Sequence, residues 1–391
     1  MMSQKPPVGG NWPFYSDACR RDVQKLLGRP VGLSAYRSSP NFPVGPVEHS
    51  WAWKLERLAE LEFGIRHAIA VNSGTMALMA ALKAASWPKG EVVTSPYTFS
   101  ATAAAIMWMG YQPVFADIDP ATFTLDPKSV KQVLTERTVG IVPVDLFGRY
   151  AAYDELAALG LPIVQDACQA VGAHSGSKAT IRGIAAAWSF NGGKNCPAGE
   201  AGMMVTQDDQ VAGRARLFVS HGENWGGPEI GLNGRLNEIT ACVAYHGLVN
   251  LWARNEARQQ LLRRLTLQLM HREEVTFPSP EHHALYVCPL VLASGVDRAV
   301  FAKRLRSMGI EVGEGYIVPP LHKYQAFARA NRITMPVVED LSANRLCILT
   351  QVRPPATEAD MDYLAEAIWA ALDGSQAPKR RRIGQSKPTD F

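Results

Sequence analysis

The stretch EVVTSPYTFSATAAAIMWMGYQPVFADID, residues 91–119, decides the fold class of this chain. It begins with a short β-branched run, continues with an alanine-rich segment that favours a helix, and ends with a second β-rich run. The alternation continues with strand patterns at 137–145 and 161–167 and helical patterns at 126–135 and 153–160. Strands that alternate with helices at this spacing predict βαβ units, a parallel sheet and an α/β fold.

Several of the predicted strands end in an acidic residue, namely Asp117, Asp119, Asp145 and Asp166. Ligands of open α/β sheets bind beyond the carboxyl ends of the strands. We therefore expect the chemistry of this protein at that edge of the sheet.

The pattern changes near residue 245, where a long helical stretch leads to shorter strand and helical runs. This order predicts a large domain at residues 1–250 and a smaller α+β domain at 251–375. Residues 376–391 are basic and predict a disordered tail, for which contact with nucleic acid is the alternative role.

The composition is that of an ordinary folded protein, with 47% hydrophobic residues, 19% charged residues and a net charge of +4. No apolar run is long enough to span a membrane, and the amino terminus lacks the pattern of a signal peptide. The six cysteines are scattered without a close pair, which argues against disulfides and a zinc site. We therefore expect a cytoplasmic protein without a metal site, and we do not expect it to bind a membrane or nucleic acid.

Lys194 lies in the glycine-rich loop SFNGGKNCPAGEAG, residues 189–202, where Glu200 is the only charged neighbour. The loop lacks the spacing of a phosphate-binding P-loop, and no predicted strand is followed by the G-x-G-x-x-G of dinucleotide-binding enzymes. A lysine amine secluded among uncharged groups is neutral part of the time and can condense with an aldehyde. The loop therefore predicts a Schiff base, and pyridoxal phosphate is the aldehyde that this chemistry indicates.

This cofactor needs a phosphate cradle, and VNSGTMALMAALKAAS, residues 71–86, contains a candidate. A strand end is followed by the turn Ser73-Gly74-Thr75, called the phosphate turn below, and then by a helix. Free backbone N–H groups at a helix amino terminus, together with the two hydroxyl groups, favour a phosphate. The alternative role of this turn is an ordinary helix N-cap.

The cofactor also needs an acid beneath its pyridine nitrogen and a flat group against its ring. Asp166 in IVQDACQA would keep that nitrogen protonated, and Gln169 could reach the ring hydroxyl. Phe99 in SPYTFSAT, or Tyr97 in its place, could cover the ring. Each residue has a structural alternative, a turn for Asp166 and the hydrophobic core for the aromatic residues, but their combination favours a cofactor site.

Eight segments in a fixed order carry a resemblance to a known family: HAIAVNSGTMAL, VVTSPYTFSATAAAI, PVFADIDPATFTLDP, IVPVDLFGR, LPIVQDACQAVGA, SFNGGKNCPAGEAGMMVT, GLNGRLNEITACVA and VPPLHKYQAF. From about Trp12 to Ala370 the chain resembles the DegT/DnrJ/EryC1/StrS sugar aminotransferases, which are fold-type I pyridoxal-phosphate enzymes. The resemblance implies a three-layer large domain with a mostly parallel central sheet and a smaller α+β carboxy-terminal domain.

The resemblance also implies roles for individual residues. Lys194 binds the cofactor, Ser189 contacts its phosphate, and Asn233 reaches the phosphate of a neighbouring subunit, so that the working unit is a homodimer with shared sites. The implied reaction is a ping-pong transfer of an amino group from glutamate or glutamine to a keto-sugar or keto-cyclitol. In that reaction Lys194 moves the proton, while Asp166 keeps the ring cationic.

Three further residues are candidates for contact with substrate. His221 and His322 lie in segments that border the active site in the family, and either could orient the substrate or make a structural hydrogen bond. Arg353 departs from a commonly apolar stretch and could bind a carboxylate or phosphate, with an ordinary surface arginine as the alternative. Two other functions stay open: decarboxylation or dehydration of an amino-bearing substrate, including a nucleotide-linked one, and non-catalytic regulation.

Overall fold

The computed structural model describes residues 13, 15–28, 32–39, 42–173, 181–222 and 230–375. The predicted tail at 376–391 lies outside these ranges. Among the described residues, no helix combines the length and the apolar character needed to cross a membrane. The same ranges contain no group of three or more His, Cys, Asp or Glu side chains that could hold a metal ion.

The described helices are α1 (Asp17–Leu27), α2 (Trp51–Phe63), α3 (Gly74–Ala85), α4 (Ser100–Trp108), α5 (Pro127–Val133), α6 (Tyr153–Ala157), α7 (Asp209–Phe218), α8 (Glu238–Val249), α9 (Leu251–Gln268), α10 (Arg298–Ser307), α11 (Pro336–Asp340) and α12 (Glu358–Asp373). The described strands are β1 (Tyr36–Ser39), β2 (Phe42–Pro46), β3 (His67–Val71), β4 (Glu91–Thr94), β5 (Gln112–Phe115), β6 (Thr138–Val142), β7 (Val164–Asp166), β8 (Ala185–Ser189), β9 (Gly202–Thr206), β10 (Val275–Thr276), β11 (Cys288–Leu292), β12 (Gly313–Glu314) and β13 (Leu346–Leu349).

The central sheet has the strand order β3-β9-β8-β7-β6-β4-β5, in which isolated parallel bridges join β7 to β6. Only β9 runs antiparallel to its neighbours, and the other pairings in this sheet are parallel. The prediction of a mostly parallel α/β sheet is therefore confirmed. The strand patterns in the sequence do not include β8 and β9, because AAAWS and GMMVT contain few β-branched residues, and because strands buried along their whole length show no alternation that would mark them.

Helices cover both faces of the central sheet. On β3, Ile69 and Val71 pack with α3 and α7, whereas Ala68 and Ala70 pack with α2 and α8. Because side chains alternate along a strand, these two sets lie on opposite faces. The predicted three-layer architecture is therefore confirmed.

The carboxy-terminal part has its own antiparallel sheet, β10-β11-β13-β12, which packs with α9, α10 and α12. The sequence predicts one long helix from about residue 244, but the helix is interrupted at Asn250, which separates α8 from α9. The Asn250 side chain donates its Nδ2 to the carbonyl oxygen of His246 at 2.8 Å, which satisfies a carbonyl group at the end of α8. We propose the boundary between the two domains at this break.

The carboxy-terminal part also packs on the ends of the large-domain strands, where Tyr97 and Leu321 share one hydrophobic cluster. Asp117, one of the strand-end acids, accepts hydrogen bonds from the backbone N–H groups of Val337 and Val338 at 3.0 and 3.1 Å. These two residues lie in the first turn of α11, so Asp117 satisfies N–H groups at a helix terminus rather than binding a ligand.

Candidate active site

The loop that carries Lys194 joins the antiparallel strands β8 and β9. Its turn is closed by the Lys194 N–H, which donates to the carbonyl oxygen of Asn191 at 2.8 Å, and by the Gly193 N–H, which donates to Asn191 Oδ1 at 3.1 Å. The lysine side chain is half-buried, and its Nζ lies 4.1 Å from the centroid of the Tyr286 ring. The amine therefore has a defined position at the carboxyl edge of the sheet.

The phosphate turn lies beside the strand that leads to Lys194. Ser73 caps α3, because its Oγ accepts a hydrogen bond from the Met76 N–H at 3.1 Å, so the N-cap role is present. A Cβ on Gly74 would lie only 2.8 Å from Ser189 Cβ and 3.1 Å from Ser189 Oγ. The absence of a side chain at Gly74 thus brings the Ser189 hydroxyl to the amino terminus of α3, where a helix favours an anion.

Asp166 ends β7 and is buried, with 3% of its surface exposed. Its carboxylate accepts hydrogen bonds from Thr102 Oγ1 at 2.7 Å and from the Cys168 backbone N–H at 3.2 Å. Thr102 lies on α4 and shares a further hydrogen bond with the Thr98 hydroxyl at 3.0 Å. Thr102 is not among the predicted site residues, although its four-residue spacing from Thr98 after β4 is a local sequence pattern that indicates a contact between the two hydroxyl groups.

The other strand-end acids serve the structure. Asp145 is fully buried and accepts hydrogen bonds from the Tyr153 hydroxyl at 2.8 Å and from Gln165 Nε2 at 2.6 Å. Burial raises the pKa of Asp145 to about 7 despite these donors. Asp119 stabilises a turn, where its Oδ1 accepts hydrogen bonds from two following backbone N–H groups at 2.9 Å. Asp166 is thus the remaining candidate for the ring nitrogen.

Gln169 is held at both ends of its side-chain amide. Its Oε1 accepts a hydrogen bond from the Phe147 N–H at 2.9 Å, and its Nε2 donates to the Tyr316 hydroxyl at 2.8 Å. Nε2 carries a second hydrogen, which can donate to a ring hydroxyl. Tyr316 belongs to the carboxy-terminal part, and no local pattern in the sequence links it to Gln169.

The two candidates for covering the ring differ in exposure. Phe99 directly precedes α4, and 59% of its surface is exposed. Tyr97 is fully buried, and its hydroxyl accepts a hydrogen bond from the Tyr316 N–H at 3.1 Å. The proposal of Tyr97 as a substitute is therefore wrong, because the core holds its ring, whereas Phe99 is accessible to a ligand.

The candidates His322, His221 and Asn233 also differ in exposure. His322 is buried, its Nε2 lies 3.1 Å from Glu339 Oε1, and burial lowers the pKa of its imidazole. It therefore makes a structural hydrogen bond, which is the alternative to the predicted role of orienting the substrate. His221 is exposed and has a left-handed backbone with φ 67°. Asn233 is also exposed. Its carbonyl oxygen accepts a hydrogen bond at 3.0 Å from Nδ2 of Asn72, the residue that directly precedes the phosphate turn.

Arg353 is half-buried near the Tyr286 ring that contacts the Lys194 amine. Burial lowers the pKa of Arg353, and Tyr286 opposes this shift. Arg258 on α9 is fully buried, and burial together with the nearby Arg353 guanidinium lowers its pKa to about 9. Lys194 Nζ lies over the Tyr286 ring, Arg258 binds the backbone carbonyl oxygen of Tyr286, and Arg353 interacts electrostatically with both Tyr286 and Arg258. This concentration of positive charge favours an anionic ligand. No local pattern in the sequence marks Tyr286 or Arg258.

A cavity of about 580 Å³ lies elsewhere, beside α1 and the start of α2. Its lining includes Asp22, Lys54 and Glu238, and it includes none of the residues predicted to bind cofactor or substrate. Glu238 accepts a hydrogen bond from the Trp51 N–H at 2.7 Å and so satisfies the start of α2. We therefore assign the candidate active site to the sheet edge at Lys194.

Residues 52–369 match the DegT/DnrJ/EryC1/StrS aminotransferase family. This chain belongs to that family. Its members depend on pyridoxal phosphate, so the predictions of this cofactor and of an aminotransferase are confirmed.

The relatives of this DegT-family chain include enzymes and a regulator by name. A Geobacillus stearothermophilus protein named pleiotropic regulatory protein is 31% identical over 317 residues, which cover 78% of this chain and 84% of that protein. GDP-perosamine synthase from Caulobacter vibrioides is 30% identical over 321 residues, which cover 78% and 85%. The solved structure of DesI in the presence of its TDP-sugar product matches with a TM-score of 0.82 at 26% identity, covering 95% of this chain and 94% of that one.

The residues of this family member fit the cofactor chemically. The close contact at Gly74 places a hydroxyl group beside a helix amino terminus, as a phosphate requires. The buried carboxylate of Asp166 suits a protonated ring nitrogen, and the half-buried amine of Lys194 suits an aldehyde. The three groups therefore correspond to the three functional ends of pyridoxal phosphate.

Proposed function

We propose that this protein transfers an amino group from glutamate or glutamine to a keto-sugar in a ping-pong reaction. The observation that carries the proposal is that one sheet edge holds the Lys194 amine, the Asp166 carboxylate and the contact between Gly74 and Ser189. The names of two relatives, GDP-perosamine synthase and DesI with its TDP-sugar product, favour a nucleotide-linked keto-sugar over a keto-cyclitol as acceptor.

Each part of the site has its own task in this reaction. When bound, pyridoxal phosphate supplies an electron sink that stabilises negative charge on the donor's α-carbon. Lys194 takes the proton from that α-carbon and delivers it to the aldehyde carbon of the cofactor. Asp166, oriented by Thr102, stabilises the positive charge of the ring nitrogen. The phosphate turn and Ser189 bind the phosphate, Gln169 donates to the ring hydroxyl, and the exposed Phe99 ring covers the cofactor.

Arg353 is proposed to bind the α-carboxylate of the amino donor. Its guanidinium lies near Tyr286, whose ring contacts the Lys194 amine. The α-carboxylate is one bond from the carbon whose proton Lys194 moves, whereas the diphosphate of a nucleotide-linked sugar is several bonds from the reacting carbon. A cation near this lysine therefore suits the carboxylate better. The exposed His221 remains the candidate for contact with the acceptor.

The working unit is proposed to be a homodimer in which Asn233 completes the phosphate site of its partner. Mixed dimers of Lys194→Ala and Asn233→Ala subunits test this sharing. If the sites are shared, both defects fall in one site, the other site is intact, and activity returns to roughly half that of the wild type. If each subunit builds its own site, both sites of the mixed dimer stay defective and no activity returns.

The absorption spectrum of the purified protein tests the reaction itself. We expect a visible band from lysine-bound pyridoxal phosphate that L-glutamate or L-glutamine bleaches and that Lys194→Ala lacks. A bleached sample then permits a screen of nucleotide-linked keto-sugars and keto-cyclitols for recovery of the band. A band that neither donor changes refutes the proposed donors and places decarboxylation or dehydration first.

Regulation is the second candidate function, because one relative is named a pleiotropic regulatory protein. A regulator that only binds the cofactor would show the visible band without turnover of any donor and acceptor pair. The oriented carboxylate of Asp166 favours catalysis, since mere retention of a cofactor through Lys194 needs no acid to keep the ring nitrogen protonated.

The cytoplasm is proposed as the location. All six cysteines are free thiols, and five of them are buried. Free buried thiols suit a reducing compartment.

A further inference from the structure

The segment His283–Tyr286 passes the Lys194 loop, and each of its backbone polar groups from the His283 carbonyl to the Tyr286 carbonyl is hydrogen-bonded. Arg258 Nη1 donates to the carbonyl oxygens of Leu285 at 2.7 Å and Tyr286 at 3.1 Å. Asn195, the residue after Lys194, donates its Nδ2 to a third carbonyl oxygen of this segment. The segment is therefore fixed both to α9 and to the loop that carries the lysine.

This fixed path includes backbone conformations that cost free energy. Leu285 is left-handed at φ 50°, and so is Phe147 at φ 61°, which precedes Gly148. A Cβ on Gly148 would lie 2.7 Å from the Leu285 nitrogen, while the Tyr286 N–H donates to the carbonyl oxygen of Phe147 at 2.8 Å. Such conformations persist only where the surroundings enforce them, and they concentrate at functional sites.

These backbone contacts fix the position of the Tyr286 ring. The Tyr286 ring faces Lys194 Nζ with 4.1 Å between the nitrogen and the ring centroid, well within the range of a cation–π contact. Its hydroxyl end lies by the same loop, 3.6 Å from where a Cβ of Gly193 would be. Because Arg258 and Phe147 bind the backbone of Tyr286, its side chain can be replaced while the segment keeps its anchors.

We propose that Tyr286 is a positioning residue that holds the Lys194 ammonium on its ring face whenever this amine is not bonded to the cofactor. In its catalytic part this inference rests on the proposed function. The proton leaves the donor's α-carbon for Lys194 Nζ, and the electron pair of the broken C–H bond passes into the bound cofactor. This transfer turns the neutral Lys194 amine into an ammonium, which an aromatic face binds more strongly than the amine. The Tyr286 ring therefore favours the proton transfer and keeps Lys194 Nζ near the cofactor's aldehyde carbon, the next carbon to receive the proton.

Two variants separate the ring from the hydroxyl group. Tyr286→Phe keeps the aromatic ring and loses the hydroxyl group, whereas Tyr286→Leu loses both. Tyr111→Leu is the control, because Tyr111 lies next to the opposite end of the sheet, where its hydroxyl donates to the Trp87 carbonyl oxygen. If Tyr286→Leu does not reach the wild-type melting midpoint, Tyr286→Met, with an unbranched side chain of similar size, takes its place.

The first readout needs no donor. In the full-length protein freed of cofactor, acetic anhydride labels lysines, and peptide mass spectrometry follows Lys194. We expect labelling of Lys194 to be about 2- to 30-fold faster in Tyr286→Leu, as the range for a cation–π contact implies, and near the wild-type rate in Tyr286→Phe. Wild-type labelling of Lys194 in Tyr286→Leu would overturn the inference.

The second readout is the rate at which the donor bleaches the cofactor band. We expect a loss of about 2- to 30-fold in Tyr286→Leu, with donor affinity little changed, and rescue by Tyr286→Phe. Equal losses in Tyr286→Phe and Tyr286→Leu would assign the effect to the hydroxyl group and overturn the inference. If the wild type is not bleached by either donor, the proposed function fails, and the labelling result still decides the role of Tyr286.

Discussion

Replacement of Gly74 by alanine tests the phosphate cradle most directly. The added methyl group would lie 2.8 Å from Ser189 Cβ, 3.1 Å from Ser189 Oγ and 3.2 Å from Cys168 Sγ. Ser189 has little room to move, because it ends β8 and pairs with Gly202, where a Cβ would already lie 2.4 Å from the carbonyl oxygen of Ser73. The methyl group must therefore separate α3 from β8.

The expected magnitude follows from these contacts. Overpacking by one methyl group in a site that cannot relax costs about 1–3 kcal/mol, and the preference of a helix for alanine over glycine offsets up to about 1 kcal/mol of this. We expect the free energy of unfolding to fall by roughly 1–2 kcal/mol. Affinity for pyridoxal phosphate should fall about 10- to 100-fold, as the loss of one hydrogen bond to a charged phosphate implies.

The assay combines urea unfolding with fluorescence titration of the cofactor-free protein by pyridoxal phosphate. Gly213→Ala is the matched control: Gly213 lies within α7, a Cβ there meets nothing within 4 Å, and we expect it to stabilise the fold by up to about 1 kcal/mol. The double variant Gly74→Ala/Ser189→Gly should recover stability, because it removes the clashing atoms. Wild-type stability and cofactor affinity in Gly74→Ala would refute the cradle.

Three further substitutions test single residues. Thr102→Val removes the hydroxyl that donates to Asp166 at 2.7 Å, so we expect the donor half-reaction to slow roughly tenfold or more; an unchanged rate would exclude Thr102 from the site. Asp145→Asn removes the buried acid whose pKa burial raises to about 7. The folded state keeps a proton on Asp145 that the unfolded chain releases near pH 4, so the contribution of this group to stability falls as the pH rises from about 4 to about 7. The stability of the wild type relative to Asp145→Asn should therefore fall across that range, which unfolding of both proteins at each pH measures. Arg353→Met removes the proposed carboxylate contact and should raise the donor KM roughly 10- to 100-fold with little effect on cofactor affinity; a wild-type KM would contradict that assignment.

The sequence predicts those parts of the site that a few neighbouring residues encode. The phosphate turn combines glycine and hydroxyl groups at the start of an evident helix, and the Lys194 loop combines an amine with four glycines in one segment. Asp166 follows a strand pattern, so its place at the sheet edge also follows from local sequence. In each of these cases the backbone position and the chemical group lie in the same short stretch.

The remaining features depend on contacts that local sequence does not contain. Strand β8 reads AAAWS and is buried throughout, so it shows no alternation between its faces. The break at Asn250 depends on one side-chain hydrogen bond within an otherwise helical pattern. Tyr316 reaches Gln169 across 147 residues, and Tyr286 reaches Lys194 through a segment held by Arg258. Such distant pairs become neighbours only when the two domains pack.

The parts of the chain before and after Asn250 contribute different groups to the candidate site. The residues proposed to hold the cofactor lie before residue 250, whereas Tyr286, Tyr316 and Arg353 lie after it. The turn at Phe147 and Gly148 connects the two sets: the Phe147 N–H donates to the cofactor-side glutamine, and its carbonyl oxygen accepts from Tyr286. Both turn residues have positive φ, 61° at Phe147 and 108° at Gly148, a conformation that glycine adopts at low cost and phenylalanine does not.

This connection has a consequence for how specificity can change. Because the turn aligns the segment that carries Tyr286 through backbone hydrogen bonds, the side chain at Tyr286 can vary without displacing that segment. Substitutions at Tyr286 should therefore change the use of the donor before they weaken cofactor binding, whereas a substitution at Tyr316 also releases the Gln169 side chain. A change at Gly148 should impair both donor use and cofactor binding, since any Cβ there would meet the Leu285 nitrogen at 2.7 Å and shift the segment that carries Tyr286.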